Sequence, residues 1–224
     1  MTAAEHRDSI DVGTDLSSLV ERLGLILRAD RRLLLGICGA PGAGKSTLAE
    51  RLASLVGDEA IVVPMDGFHI ATTALASPEH VDRRGAIDTF DVAGYLTLMA
   101  RLRADAEDVT YAPAFDRAIG EPVAGAIAVT RQHRIVITEG NYLLSRESGW
   151  RDLRQLLDET WYLELANDIR IERLTARHRR FGTTAEVAYA RARGSDEDNA
   201  RAIASARGDA DLVIRLIDHL ESHG

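Results

Sequence analysis

A glycine-rich segment between an apolar run and an amphipathic run constrains the fold of this chain more than any other feature. The continuous apolar run Leu33–Cys38 is typical of a strand buried on both faces of a sheet. Residues 39–47 follow with the pattern G-x-x-x-x-G-K-[ST], and residues 46–56 are predicted to be a helix. Glycines let such a loop wrap tightly with its amides turned inward, and the next helix points its positive end at the same place. The sequence therefore predicts a loop that binds phosphates.

The loop also predicts the nucleotide and its metal. The residues expected to contact the nucleotide are Gly39, Ala40, Pro41, Gly42, Ala43, Gly44, Lys45, Ser46 and Thr47. The Lys45 side chain can reach the outer phosphates of ATP, and the Ser46 hydroxyl can be a ligand of Mg²⁺. A glycine-rich turn without a ligand is the alternative, and it is disfavoured because both flanking segments have the required pattern. We therefore expect ATP and Mg²⁺ at this loop.

The remaining chain alternates short apolar runs with longer amphipathic runs, which favours a parallel α/β sheet. Further strands are predicted at residues 60–65, 134–138, 160–165 and 212–216, and helices at residues 16–28, 92–102, 168–180, 185–193 and 199–206. Residues 109–115 and 126–130 are predicted to be short extended segments, with Glu121-Pro122 and Gly125 breaking the chain between them. Residues 67–90 lack periodicity and are predicted to loop over the sheet. The prediction is about five parallel strands with helices on both faces, in a single domain over residues 1–224.

The charge and hydropathy of the chain limit its partners. The net charge of −8 disfavours binding of a polyanion such as DNA across the whole surface. No apolar run approaches the roughly 18 residues that span a bilayer, and the N-terminus has no signal-like hydrophobic stretch. The single cysteine, Cys38, cannot form an internal disulfide, which fits a reducing cytosol. We therefore expect a cytoplasmic protein with small-molecule partners and no nucleic-acid or membrane partner.

Two acidic residues follow predicted strands, at the sheet edge where open α/β sheets bind their ligands. Asp66 follows the apolar run at residues 60–65, and Glu139 follows the run at residues 134–138. Phosphoryl transfer to a hydroxyl needs Mg²⁺ to spread the developing charge and a carboxylate to take the proton of the acceptor. We assign Asp66 as the base and Glu139 as a ligand of Mg²⁺ or of its water shell, but the two roles can be exchanged. An acid that merely caps a turn is the alternative for each.

Arginines recur at helical spacing in the predicted helix at residues 168–180. They are Arg170, Arg173, Arg177 and Arg180. At about 100° per residue they share one face of the helix, where their like charges repel unless an anion lies close by. We predict a lid at about residues 168–195 that closes on ATP and neutralises charge in the transition state. Arg173 and Arg177 are assigned to catalysis and Arg180 to nucleotide binding, and a solvated face balanced by Asp168 and Glu172 is the alternative.

Further segments of the chain resemble a known superfamily. They are Met65-Asp66-Gly67-Phe68-His69, residues 83–91 (RRGAIDTFD), residues 111–117 (YAPAFDR) and residues 138–144 (TEGNYLL). The chain resembles the small-molecule kinases of the uridine kinase, phosphoribulokinase and bacterial pantothenate kinase superfamily, especially a bacterial branch labelled fructose-transport-system kinase or nucleoside/nucleotide kinase. The resemblance covers nearly the whole chain from Leu33 to Ile214. It implies the P-loop NTPase fold with a helical lid, and ATP-dependent kinase activity.

The resemblance also implies roles for single residues. In that superfamily the acid that matches Asp66 is the catalytic base, and the acid that matches Glu139 helps to hold the metal. The segments that match residues 83–91 and 111–117 border the acceptor. Candidates for the acceptor pocket are therefore Asp66, Arg84, Asp88, Tyr111, Phe115 and Arg117. His69 is a further candidate, with a packed or solvated histidine as the alternative. Related kinases often form dimers, which allows a homodimer here.

The predicted function is ATP-dependent transfer of the γ-phosphoryl group to a hydroxyl of a small metabolite. Sugars, nucleosides and pantothenate-like molecules all stay open as acceptors. Gly67-Phe68 is more like pantothenate kinases than uridine kinases, but the chain is much shorter than typical pantothenate kinases. A nucleotide-dependent switch with slow NTP hydrolysis is the alternative, although the chain has no Asn-Lys-x-Asp run to read guanine. A non-catalytic binding module is disfavoured by the intact Lys45, Ser46, Asp66 and Glu139.

Overall fold

A computed structural model describes residues 8–180, 184 and 195–217 of the chain. The main sheet contains β1 (Ser9–Val12), β2 (Leu33–Cys38), β3 (Ala60–Val62), β6 (Ile135–Gly140), β7 (Glu159–Glu164) and β8 (Leu212–Leu216). These six strands are all parallel and lie in the order β1-β8-β7-β2-β6-β3. The other two described strands, β4 (Val109–Asp116) and β5 (Glu121–Thr130), form a separate antiparallel hairpin. The strand β2, which precedes the glycine-rich loop, is therefore central.

The described helices cover both faces of the main sheet. They are α1 (Ser17–Ile26), α2 (Lys45–Val56), α3 (Pro78–Asp82), α4 (Val92–Ala104), α5 (Asn167–Arg180) and α6 (Ser195–Ser205). Successive residues of a strand point to opposite faces, so β2 contributes Leu35 and Ile37 to one core and Leu34 to the other. The first core contains α1 and α2, and the second contains α4 and α6. The predicted α/β architecture with helices on both faces is confirmed.

The prediction of about five strands missed β1 at the edge of the sheet. Its four residues alternate in polarity and only Val12 is buried, so the segment lacks the apolar run that marks a central strand. The hairpin also corrects the prediction, because Pro122 and Gly125 lie inside β5 instead of breaking the chain. Most of β5 is only partly buried or exposed, and an edge strand of this kind accommodates proline and glycine.

The two acids do not both follow their strands as predicted. The strand β6 continues to Gly140, so Glu139 lies within it and pairs with Ile37 of β2. The strand β3 ends at Val62, and Asp66 lies in the 3₁₀ turn Met65–Phe68. Short 3₁₀ turns and α3 fill the segment after Asp66, which agrees with its lack of periodicity. The predicted helix at residues 185–193 lies outside the described residues. None of the described helices is long and apolar enough to cross a membrane.

Candidate active site

The loop between β2 and α2 has the conformation that its glycines predict. Gly42 and Gly44 have φ angles of 83° and 96°, a region that favours glycine. A Cβ atom on Gly42 would lie 2.7 Å from Leu174 Cγ and 2.9 Å from the Arg170 carbonyl oxygen, because α5 packs directly on the loop. Gly44 is the N-cap of α2 and offers no side chain to cap the first-turn amides. The loop thus presents the positive end of a helix to a ligand.

Lys45 connects this loop to the end of β6. Its side chain is buried, and Nζ donates to the carbonyl oxygen of Ala40 at 3.2 Å and to Asn141 Oδ1 at 2.6 Å. The sequence pattern indicates no role for Asn141, although this residue lies two positions after Glu139. The carboxamide of Asn141 therefore holds the ammonium group between the loop and the carboxyl edge of the sheet.

Ser46 and Glu139 form a pair of oxygen donors beside the loop. The Ser46 hydroxyl donates to Glu139 Oε1 at 2.9 Å, and Glu139 is buried. Burial and the negative charge of Asp66 raise the pKa of Glu139, whereas the positive charge of Lys45 opposes them. A hydroxyl and a carboxylate are hard oxygen ligands of the kind that Mg²⁺ prefers. The donor set at this position therefore fits the predicted metal.

Asp66 lies on a turn that is pressed against the hairpin. A Cβ atom on Gly67 would clash with the Pro113 carbonyl oxygen, so this close approach requires glycine after Asp66. The Asp66 side chain is 34% exposed, and its Oδ2 lies 3.9 Å from Arg117 Nη2. The turn thus presents a carboxylate to solvent with an arginine beside it.

Aromatic rings surround His69 next to this carboxylate. The centroid of the His69 ring lies 4.2 Å from that of Phe90 and 4.9 Å from that of Phe115. Its Nδ1 lies 2.9 Å from the Asp66 carbonyl oxygen. Burial lowers the pKa of His69, although Asp66 opposes this effect, so the neutral imidazole is favoured at pH 7. His69 therefore packs as a neutral ring between the Asp66 turn and the hairpin.

Arg84 connects the segment after Asp66 to the hairpin through hydrogen bonds. It donates to Glu121 Oε2 at 2.8 Å, to Thr72 Oγ1 at 2.9 Å and to the Gly120 carbonyl oxygen at 2.6 Å. Its guanidinium carbon lies 5.4 Å from the centre of the Phe115 ring. These contacts hold the segment after Asp66 against the hairpin, a role that the sequence pattern does not indicate for Arg84.

The structure brings some of the predicted acceptor residues together and leaves others apart. Asp66, His69, Phe115 and Arg117 lie in one cluster, with Arg84 behind them. Tyr111 is 60% exposed on the hairpin. Asp88 is 43% exposed, and both its carboxylate oxygens accept from Arg83 Nη2, at 3.0 and 3.1 Å. Contact of any of these residues with an acceptor stays a prediction.

The arginines predicted for the lid do not form one uniform face. Arg173 lies over the start of α2, since a Cβ atom on Gly44 would be 3.4 Å from its Nη1. Arg170 is 3% exposed and points into the protein, where it contacts Pro41, Asn167 and Glu197. The predicted stripe is therefore wrong for Arg170. The side chains of Arg177 and Arg180, and most of residues 181–194, lie outside the described residues.

Comparison with known proteins identifies the family. The chain is 34% identical to the "putative uridine kinase" of Schizosaccharomyces pombe over 221 residues, which cover 94% of each protein. The chain belongs to the uridine kinase-like P-loop kinases. This kinase is also 32% identical to the uncharacterized protein YggC of Escherichia coli, covering 86% of the present chain and 81% of the relative. No family model matches the chain.

Solved structures agree with this kinase assignment. The crystal structure of the "putative fructose transport system kinase" from Silicibacter sp. TM1040 is 40% identical, with a TM-score of 0.81 over 89% of this kinase and 98% of that chain. The structure of YFH7 from Saccharomyces cerevisiae has a TM-score of 0.79 over 92% of this kinase and 99% of that chain. At 19% identity, it supports the fold alone. The predicted P-loop NTPase fold and kinase activity are confirmed.

Proposed function

We propose that this kinase transfers the γ-phosphoryl group of ATP to a hydroxyl of a small metabolite, with Asp66 as general base. The proposal is based on the difference in solvent exposure between the two carboxylates of the site. Glu139 is buried and accepts a hydrogen bond from Ser46, whereas Asp66 is 34% exposed on its turn. An acceptor hydroxyl that arrives from solvent can therefore reach Asp66 and not Glu139. This contrast favours the assignment of Asp66 as base over the exchanged roles.

The loop and its neighbours would bind the donor. The amides at the start of α2 and the ammonium group of Lys45 would hold the phosphates of ATP. Ser46 and Glu139 would hold Mg²⁺, directly or through water, and the metal neutralises charge on the phosphate oxygens when bound. Arg173 lies above the same loop end and would face charge on the transferred group. Arg177 and Arg180 are proposed to join it from the lid.

The reacting groups of this chain then act in sequence. As the acceptor oxygen attacks the γ-phosphorus in line, the bond from that phosphorus to the bridging oxygen breaks and ADP leaves, while the proton of the acceptor moves to a carboxylate oxygen of Asp66. Arg117 Nη2 lies 3.9 Å from Asp66 Oδ2 and would place a positive charge beside the base. Closure of the lid would exclude water, which limits hydrolysis of ATP without an acceptor. The neutral His69 packs beside the base and would contact the acceptor through its ring.

A screen for acceptors tests this proposal. ATP turnover is measured with and without mixtures of hydroxyl metabolites, and the Lys45→Ala variant serves as the blank. We expect at least one mixture to stimulate ADP formation and to yield a phosphorylated product. The names of the relatives point to different acceptors, so the mixtures must include both sugars and nucleosides. Slow hydrolysis that no mixture stimulates would support the nucleotide-dependent switch instead.

Replacement of Glu139 tests the metal site. The Glu139→Gln side chain keeps its size but loses the charge that we assign to Mg²⁺, so the Mg²⁺ concentration for half-maximal rate should rise about 10- to 100-fold. The measurement is a Mg²⁺ titration of acceptor-dependent turnover at fixed ATP. Glu159→Gln is the control, because Glu159 is also buried in a strand but pairs with Arg22 away from the loop. An unchanged Mg²⁺ requirement in Glu139→Gln would contradict the assignment.

A further inference from the structure

Two fully buried hydroxyl groups adjoin the segment that leads to Asp66. They belong to Tyr95 of α4 and Thr138 of β6, and we refer to these two residues as the hydroxyl pair. The Tyr95 hydroxyl lies 2.6 Å from Thr138 Oγ1, and Thr138 Oγ1 donates to the carbonyl oxygen of Val63 at 2.7 Å. Two consecutive hydrogen bonds therefore connect α4, through β6, to the backbone three residues before Asp66.

The direction of both hydrogen bonds follows from the protons that are available. A threonine hydroxyl has one proton to donate and lone pairs with which to accept. The carbonyl oxygen of Val63 can only accept, so the proton of Thr138 is used in that bond. Tyr95 must therefore be the donor in its bond with Thr138. Thr138 holds the Val63 carbonyl group, and Tyr95 orients the Thr138 hydroxyl for this contact.

Tyr95 also contacts the other end of the turn that contains Asp66. Its ring packs on that of Phe68, with centroids 5.1 Å apart. Phe68 is the last residue of the same 3₁₀ turn as Asp66. Asp66 thus lies between two residues that Tyr95 stabilises, Val63 through Thr138 and Phe68 through ring packing. These contacts fix the path of the backbone on both sides of the proposed base.

The core around the hydroxyl pair is apolar, so packing alone does not require hydroxyl groups here. Val63, Met65 and Val136 are buried in the same core as Tyr95. Phenylalanine and valine have nearly the same shapes as tyrosine and threonine, and a buried hydroxyl costs free energy unless it is hydrogen-bonded. Burial raises the pKa of Tyr95, which keeps its hydroxyl protonated as a donor. The hydrogen bond to Val63 is therefore what this polar pair adds to the core.

We propose that Tyr95 and Thr138 are positioning residues, which act on phosphoryl transfer by fixing the place of the Asp66 carboxylate. The inference rests on the proposed role of Asp66 as base and deepens it. Position matters because a displacement of about 1 Å can lower the rate of an enzyme by about 10²-fold. Thr138 also directly precedes Glu139 in β6. The hydroxyl pair thus sets the position of Asp66 relative to the second carboxylate of the site.

Substitutions in the hydroxyl pair test this role. Thr138→Val keeps the shape of the side chain but loses the donor to Val63, so kcat should fall by about tenfold or more. KM for ATP and the Mg²⁺ requirement should be unchanged, because the pair acts on the base. Thr138→Ser retains the hydroxyl and should keep most of the wild-type kcat. Tyr95→Phe should lower kcat less than Thr138→Val does, since Thr138 can still donate to Val63.

The rates are measured with the sugar or nucleoside that the acceptor screen shows to be phosphorylated fastest, and Thr160→Val is the control. Thr160 is also fully buried, in β7, and its hydroxyl donates to Asp211 at 2.8 Å. Because β2 separates β7 from β6, Thr160→Val should leave kcat unchanged. Thermal unfolding shows which variants are folded at the assay temperature, and Tyr95→Phe replaces Thr138→Val if the latter is not. An unchanged kcat in the folded variant, or an equal loss in Thr160→Val, would overturn the inference.

A double-mutant cycle with Asp66→Asn identifies the group through which the pair acts. If Thr138 acts through the base, Thr138→Val should cause little further loss of kcat in the Asp66→Asn background. An equal loss in both backgrounds would overturn the inference and leave the base assignment intact. A wild-type rate in Asp66→Asn would instead overturn the proposed base, and absence of phosphorylation by the wild-type protein would overturn the kinase function. In both of these cases the inference fails as well.

Discussion

Replacement of Asp66 by asparagine should lower acceptor phosphorylation by about 10²- to 10⁴-fold, the usual contribution of a general base. The carboxamide has almost the same shape but cannot take the proton of the attacking hydroxyl. The loss should occur in kcat, because the phosphate loop and Lys45 remain intact. The measurement is steady-state kinetics with the preferred acceptor, together with binding of ATP by calorimetry, which should be unchanged.

An aspartate outside the site provides the control for Asp66→Asn. Asp108 is 94% exposed and pairs with Arg131 on the surface, so Asp108→Asn should keep the rate of wild type. Transfer by Asp66→Asn within a few-fold of wild type would contradict the assignment of the base. If Glu139→Gln then lost transfer without any change in its Mg²⁺ requirement, the two carboxylates would have exchanged roles.

The parts of the fold that were predictable from sequence are those buried on both sides. The apolar run of β2 was predicted with the bounds that the structure has, because a central parallel strand contacts helices on both faces. The edge strand β1 is half exposed and carries no comparable pattern. Proline and glycine predicted breaks in β5, but a surface hairpin has room for both. Exposure removes the apolar signal on which such predictions depend.

The candidate active site also has a part that the sequence predicts and a part that it does not. The phosphate loop was predictable because its requirements are local in sequence. Gly42 and Gly44 adopt positive φ angles that favour glycine, and Lys45 follows Gly44 directly. The contact between Lys45 and Asn141 spans 96 positions of sequence, and that between Arg84 and Glu121 spans 37. Spacing along the chain contains no information about such pairs. The roles of Asn141, Arg84 and Arg170 therefore depend on the tertiary structure.

Arg170 should support both the stability of the fold and the affinity for ATP. Its Nη1 donates to the carbonyl oxygen of Pro41 at 3.2 Å, and its Nε and Nη2 donate to Asn167 Oδ1 at 3.0 and 2.6 Å. Nη2 also pairs with Glu197, so one guanidinium group joins the phosphate loop, the start of α5 and α6. Because the loop is anchored through Pro41, changes at Arg170 should affect the nucleotide.

We expect Arg170→Met to lower the free energy of unfolding by about 3 kcal/mol, because the largely buried Glu197 carboxylate would lose Arg170 and keep the exposed Arg201 at 3.9 Å. ATP affinity should fall at least tenfold, since Pro41 loses the donor that fixes its carbonyl group. Chemical denaturation and calorimetry with ATP measure the two effects. Arg101→Met is the control, because the pair of Arg101 with Glu107 is exposed and its loss should change neither quantity.

The double variant Arg170→Met/Glu197→Leu separates the two roles. Removal of both charges eliminates the largely buried carboxylate that has lost Arg170, so part of the lost stability should return. The affinity for ATP should stay low, because the Pro41 carbonyl group still has no donor at this position. Recovery of ATP affinity together with stability would mean that Arg170 acts on the nucleotide only through folding. A persistent defect in a stable double variant would instead assign Arg170 to positioning of the phosphate loop.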